Sequence, residues 1–209
     1  MGQSEKVYLV DDDPAIRDAL GLFLESEGYN VLQLAAARDL LNAVSDTDRA
    51  VVVLDQYLGD MSGLELQAEL NGLGIEWPLI FISGRGNIGL SVRAMKAGAI
   101  NFLEKPVSNE DLLGSVESAF AIMDELKEAN QLRQLARETC SRLSAREHEV
   151  MALVVSGMSN SKIAEHLGLS IRTIEVHRAN IHKKTGADTL AELVRLADLC
   201  LLSIPNDPA

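Results

Sequence analysis

Four aspartates stand where the chain leaves a run of apolar residues. KVYLV is followed by Asp11, Asp12 and Asp13, and AVVVL is followed by Asp55. A strand buried on both faces has no structural use for a charge at its end. Carboxylates brought together repel and take up protons unless a cation sits among them. A cluster offering only oxygen suits Mg²⁺, which keeps some waters and recruits phosphate. Two further runs also end on reactive groups, PLIFIS on Ser83 and INFLEK on Lys105. Carboxylates, a hydroxyl and an ammonium at neighbouring strand ends are the parts that hold a phosphoryl group. Each also has a plainer use. Asp13 before Pro14 can cap a helix, Ser83 can serve a turn, and Lys105 can be a solvated loop charge.

The elements that would bring these residues together are legible in the pattern. KVYLV, NVLQL, AVVVL, PLIFIS and INFLE are short, apolar and rich in branched residues, as strands are. Between them lie helical stretches at 14–27, 38–45, 63–70 and 87–97. The first has proline in its opening turn, and the last stops at Gly98. Ser108 and Asp111 resemble a capping box opening a fifth helix. Five such units in succession specify a doubly wound parallel sheet. In strand order 2-1-3-4-5 the first and third strand ends are neighbours, at the crevice where ligands bind. Residues 120–142 stay helical, either as an independent linker helix or as a continuation of the fifth. From Leu143 onward only helical patterns remain.

The totals agree with two domains. The 209 residues carry a net charge of −12, with 47% apolar residues to form cores. Residues 1–124 hold 20 acids and 8 bases, whereas residues 141–209 hold 8 of each and all four histidines. The expected division is 1–124, a helical linker at 125–140, and 141–209. A rear half that is neutral overall must localise any surface for nucleic acid. No run is long enough to span a bilayer, MGQSEKVYLV lacks the features of a signal peptide, and the myristoylation pattern is not met. A cytoplasmic protein is therefore expected. Cys140 and Cys200 show neither metal spacing nor a disulfide framework, and are expected to be unpaired thiols.

VDDD, VVVLD, FIS and LEKP, in that order over residues 5–124, resemble the receiver domains of two-component response regulators. The resemblance implies that Asp55 is the phosphoacceptor, that Asp11 and Asp12 are Mg²⁺ acids, and that Tyr57 lends its backbone carbonyl. It implies a switch role for Ser83 and Phe102, contact of Lys105 with phosphoryl oxygens, and a cis bond before Pro106. The family usually has Met-Pro where this chain has Leu58-Gly59. Glycine loosens a loop that proline would fix. A regulator that works without phosphorylation is the alternative this departure raises.

Other enzyme classes fit less well. GRGNIG at 84–89 matches the dinucleotide fingerprint, with Glu104 at the ribose-acid spacing, but only one strand follows before the chain turns helical. A phosphohydrolase with an aspartate nucleophile commonly has a second acid at position 57, where this chain has tyrosine. No serine elbow or metal-ligand cluster follows residue 140. No enzymatic activity beyond accepting a phosphoryl group and slowly losing it is expected.

In the rear segment, Ser144-Ala145-Arg146-Glu147 is a capping box. Ser159 can cap a helix to Leu167, Gly168 permits a left-handed turn, and Ser170 can cap the next helix. Helix, glycine turn and helix form the unit whose second helix enters the major groove. On that helix Ile174 and Ile181 face inward, and Arg172, Glu175, Val176, Ala179 and Lys183 face outward. Arg178, Lys183 and Lys184 supply charge for phosphates, and Glu175 can accept from a cytosine amine. A solvated helical hairpin would show the same mixture of charges.

LSAREHEV, GMSNSKIAEHLGLS, TIEVH and TLAELV, over about 143–202, resemble the LuxR-type helix-turn-helix. With the receiver in front, the chain resembles regulators on the FixJ side of the FixJ–NarL group. The resemblance implies a four-helix domain that binds promoter DNA as a dimer, with Asn160, Lys162, Arg172, Thr173, Glu175, Val176, Arg178, Lys183 and Lys184 at the interface. It implies a sensor histidine kinase, RNA polymerase and a second copy of the chain as partners. Leu190, Leu193, Val194, Ala197 and Leu201 form a stripe that serves either the dimer or the core.

Overall fold

The computed structural model describes residues 5–44, 49–84 and 88–201, with Leu201 described by its backbone alone. It divides into two compact units, residues 1–125 and 126–209. In the first unit β1 (Lys6–Val10), β2 (Asn30–Leu34), β3 (Ala50–Asp55), β4 (Leu79–Ser83) and β5 (Asn101–Glu104) form one parallel sheet. Its order is β2-β1-β3-β4-β5, the order expected.

Alternate residues of each strand feed two cores. Tyr8, Val10, Val52, Leu54, Leu79 and Phe81 pack with α2 (Ala37–Ala43), α3 (Gly63–Gly72) and α4 (Ile88–Lys96). Val7, Leu9, Val51, Val53, Ile80 and Ile82 pack with α1 (Pro14–Ser26) and the first turns of α5 (Asn109–Ser141). Strands covered on both faces need apolar residues at every position, which is why β3 reads as an unbroken run. Charge is excluded until the strand ends, so the reactive residues gather on one rim.

Helix ends follow local chemistry. Asp13 accepts hydrogen bonds from the Ala15 and Ile16 amides and caps α1. Ser62 and Glu65 form a capping box at α3, and Ser108 accepts from the Asp111 amide before α5. The observed helices differ from the expected spans by one or two residues where both can be compared. Ser45 and Asn87, two expected helix boundaries, lie outside the described residues.

The fifth helix resolves the alternative left open for residues 120–142. It is one helix of 33 residues, because nothing from Phe120 to Ser141 breaks it. Its residues from Leu126 onward group with the second unit. There Ala136 and Cys140 pack with α6 (Ala145–Val155), α7 (Asn160–Leu167), α8 (Ile171–Thr185) and α9 (Leu190–Leu201).

The expectation of unpaired thiols is wrong. Cys140 and Cys200 form a disulfide, with their Cα atoms 6.6 Å apart. A separation of 60 positions hides such a pair from any reading by spacing. Within the stripe on α9, Ala197 is buried and Leu193 packs against the core, whereas Leu190 is 54% exposed. The side chain of Leu201 lies outside the described residues.

Candidate functional site

Register alone brings the carboxylates together. Val10 lies beside Leu54, so Asp11 and Asp55 leave adjacent strands at the same level. Both are buried, and ligand oxygens of Asp11, Asp12 and Asp55 all lie within 4.8 Å of one another. Asp13 is occupied in capping α1, which leaves the other two N-terminal acids to the cluster. Asp11 is further held through the Asp13 amide on its Oδ1 (2.9 Å) and through Arg17 on its carbonyl (2.6 Å). Nothing in the sequence singled out Arg17. The signal was its position near the end of the first turn of α1, within reach of the preceding strand end.

Lys105 follows β5 and reaches back across the rim. Its ammonium donates to Asp11 Oδ2 at 2.8 Å and to Asp55 Oδ2 at 2.5 Å. Burial pulls the lysine pKa down, but hydrogen bonds and charge from Asp11 and Asp55 outweigh it and raise the pKa. The ammonium is therefore a fixed positive charge between the two carboxyl groups. The Lys105–Pro106 bond is cis.

Ser83 ends β4 fully buried, and its carbonyl accepts from the Lys105 amide at 2.9 Å. Phe102 on β5 is half-buried, its ring stacked on Phe81 with centroids 6.2 Å apart. Gly63 opens α3 where any Cβ would lie 2.8 Å from Leu54 and Phe81 and 3.1 Å from the Asp55 carbonyl. Only glycine lets α3 start so close to the strand that carries Asp55.

The loop after Asp55 is pinned at several points. The Tyr57 amide donates to Asp55 Oδ1 at 3.1 Å, and Tyr57 also pairs with Ser62 in an isolated bridge. Leu58 is buried. Asp60 accepts from the Ala37 and Arg38 amides at 3.2 and 3.1 Å. Desolvation raises the Asp60 pKa, but these backbone bonds outweigh it and hold the carboxyl low. The sequence did not point to Asp60, because the helix it caps lies more than twenty residues earlier.

A cluster whose donors are all carboxylate oxygens fits a hard divalent cation, and the neighbouring ammonium fits a phosphoryl group. β1 and β3 supply the carboxylates and β5, next but one to β3, supplies the ammonium, so the register of the sheet is the template.

The second unit presents a different surface. Ser159 caps α7, Gly168 closes it at φ 65°, and Ser170 caps α8. Ile174 and Ile181 are buried, while Arg172, Glu175, Val176, Ala179 and Lys183 are exposed on the opposite side of α8. Lys162 is exposed, and Thr173 bonds the Ser170 hydroxyl at 2.7 Å.

Two of the cations expected to meet phosphates have protein partners. Arg178 donates to Asn160 Oδ1 at 3.1 Å, which ties α8 to the start of α7. Lys184 donates to the buried Glu147 carboxylate at 2.6 Å, and the Ser144 amide donates to the same oxygen at 2.7 Å. Bonds from Lys184 first and Ser144 second bring the Glu147 pKa down to about 2. Hydrogen bonds thus hold α8 at its middle, through Arg178, and in its last turn, through Lys184.

Comparison with known proteins follows the same division. The family described as Response regulator receiver domain matches residues 7–117, and that described as Bacterial regulatory proteins, luxR family, matches residues 141–197. The transcriptional regulatory protein FixJ of Azorhizobium caulinodans is 38% identical, over 99% of this chain and 98% of its own. The response regulator protein TmoT of Ectopseudomonas mendocina is 39% identical, over 94% and 89%. The solved structure of the response regulator StyR is 36% identical with a TM-score of 0.76, over 94% of this chain and 99% of that one.

Proposed function

Because the chain belongs to the response regulators that join a receiver domain to a LuxR-type DNA-binding domain, and so regulates transcription, we propose that phosphorylation of Asp55 controls its occupancy of promoter DNA. The observation that carries this reading is the convergence of Asp11, Asp12, Asp55 and Lys105 on one rim of the sheet. A sensor histidine kinase supplies the group. An Asp55 carboxylate oxygen attacks phosphorus, the bond to the histidine nitrogen breaks, and that nitrogen keeps the electron pair. Asp11, Asp12, Asp55 and the Tyr57 carbonyl would hold Mg²⁺, which would supply neutralising charge. Lys105, already bonded to Asp55, keeps contact with the new phosphoryl oxygens.

Ala15, Ile16, Ala19, Leu20, Pro106 and Val107 line an apolar cleft with Lys105, a surface that the kinase can cover. Phosphorylation adds charge and acceptor oxygens next to Ser83, and Phe102 responds on the neighbouring strand. The readout is the face of α4, β5 and α5. Ile88, Val92 and Met95 on α4 are exposed at helical spacing, an apolar surface that a second receiver can cover.

Two paired chains place two α8 helices on successive half-sites. Arg172, Glu175, Val176 and Thr173 then meet base edges, with exposed Val176 suited to a thymine methyl. Asn160, Lys162, Arg178, Lys183 and Lys184 lie toward phosphates, and RNA polymerase is the final partner. The proposed functional division is 1–124, 125–140 and 141–209, and the place of action is the cytoplasm.

The test is incubation of the full chain with Mg²⁺ and acetyl phosphate, followed by intact-mass measurement. Wild type gains the mass of one phosphoryl group, Asp55→Asn gains none, and promoter affinity rises only for wild type. Promoter binding that is equal in both proteins would instead support a regulator independent of phosphorylation.

A further inference from the structure

With Leu58-Gly59 in place of Met-Pro, the loop that bears the Tyr57 carbonyl lacks the proline that would stiffen it. Gly59 lies outside the left-handed region, and a Cβ there would find only Asp12 Oδ2, at 4.0 Å. The loop thus passes close to the acidic cluster without packing to hold it at that residue. The next residue, Asp60, spends its carboxylate on α2, a helix that lacks a cap of its own. Position 36 is the N-cap, its backbone is extended (φ −141°, ψ 153°), and its side chain is only the methyl of alanine. Ala37 and Arg38, the first two helical residues, present amides that Asp60 accepts from a distant segment.

We infer that Asp60 is a positioning residue for the metal and phosphoryl pocket, tethering the β3–α3 loop to α2 where the family relies on proline. The inference rests on the reading of Asp11, Asp12, Asp55 and the Tyr57 carbonyl as a Mg²⁺ site. The tether acts at a distance of three residues from Tyr57. The bridge from Tyr57 to Ser62 and the capping box of Ser62 with Glu65 hold the same loop on either side of Asp60. Holding both ends fixes the carbonyl relative to Asp55, and outer contacts of this kind change metal affinity by roughly tenfold or more.

The missing cap on α2 supplies the decisive variant. A serine at position 36 has the extended backbone from which a side chain caps a helix, so Ala36→Ser can replace the cap without replacing the tether. Mg²⁺ titration calorimetry and thermal melting are run on the full chain for wild type, Asp60→Ala, Asp60→Asn and the double variant Ala36→Ser/Asp60→Ala. Asp60→Ala weakens Mg²⁺ about tenfold. Asp60→Asn, whose carbonyl oxygen still accepts from amides, stays within about twofold of wild type. The double variant recovers the melting temperature while its Mg²⁺ affinity stays about tenfold weak. Recovery of Mg²⁺ affinity along with stability in the double variant would reduce Asp60 to a helix cap and overturn the inference. Loss in Asp60→Asn equal to that in Asp60→Ala would do the same, by showing that charge matters and not the tether. Failure of wild type to bind Mg²⁺ would instead overturn the metal reading on which the inference stands.

Discussion

Glu147→Gln removes one charge from the hub of the second unit and keeps the shape of the side chain. The Glu147 side chain is 5% exposed, and a single carboxylate oxygen accepts from both Lys184 and the Ser144 amide. Its pKa falls from 4.5 to about 2, with the Lys184 bond as the largest cause. A difference of that size corresponds to about 3 kcal/mol of preference for the ionised, folded form. Lys184 is 37% exposed and keeps part of its hydration. Discounting for that screening leaves about 2 kcal/mol.

Since the folded pKa lies below the unfolded one, this stabilisation is complete above about pH 4.5. It is lost as pH falls toward 2. The assay exploits composition, because residues 126–209 contain no Trp, Tyr or Phe. Trp77 fluorescence therefore follows the first unit, and far-UV ellipticity follows both. The variant shifts the ellipticity transition of the second unit by about 2 kcal/mol at neutral pH and leaves the Trp77 transition in place. Its deficit against wild type closes between pH 4.5 and 2. An unmoved ellipticity transition, or a deficit that does not depend on pH, would refute the reasoning.

The disulfide closes a loop of 60 positions, so Cys140→Ser lowers stability of the second unit by about 4 kcal/mol on the loop-entropy estimate. Equal melting of wild type with and without dithiothreitol would contradict this. On promoter DNA, Lys183→Ala lowers the salt slope of log affinity by about one. Lys184→Ala, whose ammonium is bound to Glu147, lowers stability more than it lowers that slope, as denaturation and salt titration measured together will show. Gly63→Ala forces a Cβ to within 2.8 Å of Leu54 and Phe81. It costs about 1–3 kcal/mol in the Trp77 transition, and an unchanged midpoint would show that α3 shifts freely.

What the sequence made legible was local or periodic. Unbroken apolar runs gave the strands, and parallel register then placed Asp11 beside Asp55 without any long-range inference. Asp13, Ser144, Ser159 and Ser170 announced helix starts because a cap and its amides lie within three residues. Contacts between distant segments were invisible. Glu147 and Lys184 are 37 positions apart, Asp60 caps a helix 22 positions earlier, and Cys140 meets Cys200 only because α5 and α9 share a core. The bond from Lys184 to Glu147 was hidden for the same reason, since its partner lies on another helix. Continuity of α5 was ambiguous because good helix formers read the same whether or not the helix runs on.

The claim that joins the two units is that charge on Asp55 brings two chains together. Sedimentation velocity with Mg²⁺, with and without beryllofluoride as a stand-in for the phosphoryl group, tests it on wild type and Asp55→Asn. The account predicts that beryllofluoride converts wild type from monomer to dimer and leaves Asp55→Asn a monomer. No change in wild type, or the same change in both proteins, would contradict it.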